Sequence, residues 1–175
     1  MLIVRRQNRF HIPECMRGGI LGMHHWYQVQ FLCHRSTLII RNIIAVLVGW
    51  VVGSMANMAI FKLNETIYPM PEGVDFSDTE GFAAYVSTLP LIALLLVLTA
   101  HLGQSFFGSW VAAAISKKQP MIVAMIVGVL SLIGGIVMFV RIPHPTWMLI
   151  EMPLYLVVAW LAALIVIKRR NKTLE

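Results

Sequence analysis

The stretch Leu91–Ile115, LIALLLVLTAHLGQSFFGSWVAAAI, constrains this chain more than any other. It carries no charged residue and no proline, and it exceeds the roughly 20 residues that a helix needs to cross a bilayer. Yet His101 and Gln104 stand near its middle. Counting from His101, Gln104, Ser105, Gly108 and Ala112 fall on one helical stripe, polar or small throughout. The other face is Leu, Val, Phe and Ile. Such a helix shows its aliphatic side to lipid and turns the small, polar stripe toward other helices.

Three further apolar runs accompany it, at 43–61, 121–140 and 147–167. Hydrophobic residues make up 58% of the chain and charged residues only 13%, about half the charged share of a soluble domain. Too little polar surface remains to cover a globule in water. The expectation is an all-α, polytopic membrane protein: a four-helix transmembrane bundle over residues 41–170, with the lipid bilayer as its first partner. The net charge of +6 would point a soluble protein toward nucleic acid. Here the basic residues flank the spans and set orientation instead, so no nucleic-acid partner is expected.

Between the first two spans lies loop 63–83, punctuated by Pro69, Pro71 and Gly73 and acidic through Glu65, Glu72, Asp75, Asp78 and Glu80. Ser77 to Glu80 reads as a capping box that opens a short helix. The alternation of Asp75, Ser77 and Thr79 fails as a calcium loop, because Val86 stands where the bidentate Glu is required. Asn64-Glu65-Thr66 is a glycosylation sequon in form, too close to the membrane to carry weight. Pro143-His144-Pro145 makes a stiff connection into the last span, where Pro153 should free the carbonyl of Leu149 and bend the helix near Glu151.

Arg35, Arg41, Lys117, Lys118 and Lys168 to Lys172 cluster on one side of the four spans, opposite the acidic loop and the single Arg141. The positive-inside rule then places both termini in the cytoplasm and the loop outside the inner membrane. Residues 1–40 read as a basic tail, either disordered or upstream of the true start. Cys15, His24, His25, Cys33 and His34 lie within it, but their spacing matches no common zinc site, so no metal or other cofactor is expected.

Two sets of span residues stand out. Gly49 and Gly53 form a GxxxG pair, and Gly108, Gly134 and Gly135 supply further small surfaces for helix packing. Asn57, His101, Gln104 and Glu151 are polar groups inside the spans. Counting inward from the basic end, Asn57, His101 and Gly134 each lie about sixteen residues deep and Glu151 one deeper, or roughly 24 to 26 Å of helix. The four polar residues are thus candidates for one intramembrane site in the outer part of the bilayer. A network there, with room beside the di-glycine for water or a small ligand, would serve a proton or solute. Alternatively His and Asn hold the helices together while Glu151 reaches outward beside Trp147.

Four stretches, RNIIAVLVGWVVGSMANM, PMPEGVDFSDTEGF, LTAHLGQSFFGSWVAA and GVLSLIGGIVMFVRIPHPTWM, resemble a family of small bacterial four-helix integral membrane proteins with no assigned activity. The resemblance covers roughly residues 41–168. It implies the fold and a bacterial membrane, and it supplies no activity. The sequence contains no HExxH, no GxSxG and no nucleophile-base pair, so no enzyme is expected. What remains is a structural or interaction protein acting through small-residue faces, with itself or another membrane protein as partner. The alternative is a minimal oligomeric transporter or channel built on Asn57, His101, Gln104 and Glu151.

Overall fold

The computed structural model describes residues 23–74, 77–141 and 146–173, with side chains from residue 38 onward. The tail residues 1–22, Cys15 among them, and the Pro143-His144-Pro145 connection lie outside the described residues. Five α-helices follow in order: α1 Met23–Ile67, α2 Thr79–Thr88, α3 Leu91–Ile115, α4 Pro120–Arg141 and α5 Glu151–Lys172, the last preceded by a 3₁₀ turn, Thr146–Ile150. Among the described residues every regular element is helical. Four segments are long and apolar enough to cross a membrane: Leu38–Ile67, Leu91–Ile115, Pro120–Arg141 and Thr146–Lys172.

Two expectations about α1 change. It begins at Met23 rather than near Arg41, and it ends at Ile67 rather than Phe61. The cause is an absence of breakers: residues 23–67 contain no proline. Residues 23–36 belong to a first compact unit, and the bundle is built by the second, residues 37–175. At the far end, Lys62 donates to Glu65 at 2.7 Å along the helix surface, three residues apart, which carries the helix on toward Pro69.

The short helix α2 exists, but its cap is Asp78 and not Ser77. The Asp78 carboxylate accepts from the Gly81 amide at 3.0 Å, and its carbonyl accepts from Phe82 at 2.9 Å. Aspartate is among the strongest N-caps, and the shift by one residue brings it into reach of the third amide of the helix. Pro153 does not bend a continuous helix. The chain enters through the 3₁₀ turn and becomes α-helical only at Glu151, so Pro153 falls in the first turn of α5, where a missing amide costs no intrahelical bond.

The spans run alternately up and down, and small residues line their contacts. Ala45, Ala112, Ala113, Ala124, Ala159 and Ala163 are fully buried. Where alanine and glycine face one another, backbones approach closely enough for dispersion to hold helices together without any hydrophobic drive. A Cβ on Gly49 would lie 2.5 Å from the Gly108 carbonyl oxygen, and one on Gly53 would collide with the Gln104 carbonyl. The GxxxG pair of α1 therefore lies directly on α3. The outer faces, through Leu47, Val51, Met55, Ile133 and Leu161, are apolar and exposed.

Candidate functional site

The polar residues inside the spans divide into three groups. The first ties helices together from within. Ser105 donates to the Tyr155 carbonyl of α5 at 2.8 Å, and Ser109 donates to the Ala124 carbonyl of α4 at 3.0 Å, both fully buried. Each hydroxyl thereby satisfies itself on a neighbouring backbone. Ser105 belongs to the stripe that starts at His101. Ser109 lies one position off it, so periodicity alone passed it by.

The second group closes the basic end. Arg41 Nε donates to the Ile115 carbonyl at 2.8 Å. The Arg170 guanidinium donates to the carbonyls of Ser116 at 2.7 Å, Ala113 at 2.9 Å and Ala114 at 2.8 Å. Helices leave their last carbonyls without partners, and cations favour that end. One arginine from α1 and one from α5 thus complete the same terminus of α3. Asn42 accepts from Ser116 Oγ at 2.9 Å and donates to Gln119 at 2.9 Å, locking the turn before α4.

The third group lies at the opposite end. His101 of α3 and Glu151 of α5 meet, with Nδ1 and Oε2 3.2 Å apart. Glu151 is 3% exposed, so it does not reach outward beside Trp147. The first turn of α5 delivers it: the 3₁₀ segment carries the chain inward, and Met148, also fully buried, fixes that entry. The imidazole tautomer with its proton on Nδ1 donates to the carboxylate, and protonation at both nitrogens makes the contact an ion pair.

The remaining candidates fall around this pair without joining it. The α1–α3 register that sets Gly49 by Gly108 and Gly53 by Gln104 puts Asn57 level with His101. Asn57 Oδ1 is buried and accepts no hydrogen bond among the described residues. Gln104 enters none of the described side-chain hydrogen bonds, and it meets α1 through its backbone carbonyl. The di-glycine is split. Gly135 lies under the Tyr155 ring, whose nearest atoms would be 2.8 Å from an added Cβ, whereas Gly134 faces open space. Within this chain Gly134 meets no other helix, because adjacent helical residues point about 100° apart and only one can face α5. The space expected beside the di-glycine is filled by the Tyr155 ring.

One residue of this region was passed over in the sequence. Asn64, dismissed as part of a sequon, is 4% exposed, and its Oδ1 has no hydrogen-bond partner among the described residues. The signal was available: Asn64 lies seven residues beyond Asn57, on the stripe begun by Gly49 and Gly53. Nearby, Tyr85 of α2 donates to the Tyr68 carbonyl at 2.7 Å. Burial raises its phenol above the ordinary pKa, and the charge of Glu65 raises it further, so the proton that makes this bond is held more firmly. Comparison with protein-family models, with curated proteins and with solved structures finds no match to this chain.

Proposed function

We propose that this chain is a multi-pass protein of a bacterial inner membrane, with both termini cytoplasmic, that handles a proton or a small solute at the His101–Glu151 pair. One observation carries the reading: a carboxylate inside a candidate span is buried and meets a titratable side chain. Ionisable groups within spans are costly, and they persist mostly where a proton or charge is handled. The small-residue faces favour the same choice. Gly49, Gly53, Gly108 and Gly135 all pack within the bundle, which leaves Gly134 as the one member of that set open to another protein. Four spans are few for alternating access, which usually rests on paired repeats, so this version works as an oligomer.

A purely adhesive role draws on Ser105 and Ser109, which show polar side chains tying helices together. The two readings separate at His101. Replacing it with Leu strands Glu151 and should cost about 1 to 3 kcal/mol. His101→Gln keeps a donor and an acceptor but cannot titrate. Handling predicts that Gln recovers thermal stability in detergent while proton or solute flux into proteoliposomes stays lost. Unchanged flux in the Gln variant would leave the pair as a clasp only. Orientation is tested by single cysteines at Ser77 and Thr173 in a background without Cys15 and Cys33. On intact cells an impermeant thiol reagent should label the first and spare the second.

A further inference from the structure

At the end away from Arg41 and Arg170, α2 and its flanking turns close over a cavity of about 80 Å³. Phe61, Phe82, Met70 and Met148 are among the residues that line it, and His101 stands at its inner side. Asn64 lines it too, almost wholly buried, with Oδ1 unpaired among the described residues. A buried amide oxygen left without a donor costs about 1 to 3 kcal/mol, and native structures hold few of them. An apolar side chain of similar size would fill the position without that cost. The position therefore trades stability for something else.

The wall defines what would satisfy it. Its one hydroxyl, that of Tyr85, is committed to the Tyr68 carbonyl. Glu65 adds a carboxylate that accepts from Lys62 and retains further acceptor capacity. The loop above is acidic. A guest must therefore donate hydrogen bonds, and a positive charge suits both the carboxylate and the aromatic faces of Phe61, Phe82 and Tyr85. The volume is well below the roughly 150 Å³ cavity that takes benzene, so it admits a head group and two or three carbons. We propose that this cavity binds a primary ammonium group, carried by a short alkyl amine or by the ethanolamine headgroup of a phospholipid. The proposal names a ligand class for the region just assigned to solute handling, but it does not depend on titration of His101.

Propylammonium chloride is the probe, with the full chain in lipid-free detergent. Saturable binding by calorimetry and a rise in Tm are expected. Asn64→Leu should weaken binding at least tenfold and leave the ligand-free Tm equal or higher, a sign opposite to that of a structural asparagine. Asn64→Asp should tighten binding several-fold, which keeps the test open if the Leu variant does not fold. Equal affinity for 1-propanol would overturn the ammonium assignment. A Leu variant that binds normally and melts lower would overturn the site. Nanodiscs assign the source: a higher Tm in phosphatidylethanolamine than in phosphatidylcholine identifies the lipid, and equal values identify the free amine. Asn64 lies outside the His101–Glu151 pair, so an Asn64→Leu variant that loses propylammonium binding and keeps proton flux separates the cavity from the pair.

Discussion

The two ends of the bundle are built on opposite terms. At the basic end, small residues bring backbones together, and Arg41, Arg170, Asn42 and Ser116 bind backbone or side-chain partners at 2.7 to 2.9 Å. At the loop end a cavity remains, Glu151 is buried, and the amide oxygens of Asn57 and Asn64 have no hydrogen-bond partner among the described residues. Satisfied polar groups in a low-dielectric setting rigidify, and unsatisfied ones are tolerated where a structure does something beyond holding itself together. The contrast separates the part of the chain that keeps the helices in place from the part free to act.

The comparison breaks most severely at the waist between the ends. Gly53→Val would drive a branched side chain into the Gln104 backbone, which cannot move as a flexible side chain would. The expected loss is about 3 kcal/mol, the upper range for overpacking, read as a lower Tm in detergent. Both ends should suffer together, since α1 would leave α3.

A smaller and more local effect is expected at the basic end alone. Arg170→Gln keeps one donor group of the three contacts and removes the charge. Of the three carbonyls that of Ala114 is exposed, while Ala113 and Ser116 are buried residues, so the cost should be about 2 kcal/mol. Hydrogen exchange should speed at the last turn of α3 while the loop end keeps its protection. Loosening of both ends would show that they are one cooperative unit and that the contrast is only visual.

The smallest effect is expected at Gly134→Ala. Nothing lies within 4 Å of the added methyl group, so thermal stability should be unchanged or raised by up to about 1 kcal/mol through helix propensity. A loss instead would mean that another chain covers this face of α4.

Hydropathy made the four spans legible, because each apolar run is uninterrupted and long. Helix limits were less so. α1 extends past both of its expected bounds because length in a helix is decided by breakers as well as by apolar residues, and no proline occurs between Met23 and Tyr68. Depth along a helix is linear in sequence, which is why His101 and Glu151 could be set at one level by counting. Which faces meet depends on crossing angles and on side-chain volume, and counting carries neither. That is why Gly134 and Gly135 looked equivalent until Tyr155 chose between them. Asn64 was hidden for another reason. Its place on the Gly49–Gly53 stripe was legible, but its burial also depends on α2 folding back over it, a tertiary event that periodicity does not carry.

The shared terminus of α3 has a consequence for how the protein is made. Its carbonyls are completed by Arg41, synthesised before α3, and by Arg170, synthesised after α4. A nascent chain with three helices already inserted therefore still presents open carbonyls at the turn into α4. Only when α5 has followed can the second guanidinium arrive. Assembly of the basic end therefore waits on α5, and the turn between α3 and α4 stays open until that helix packs.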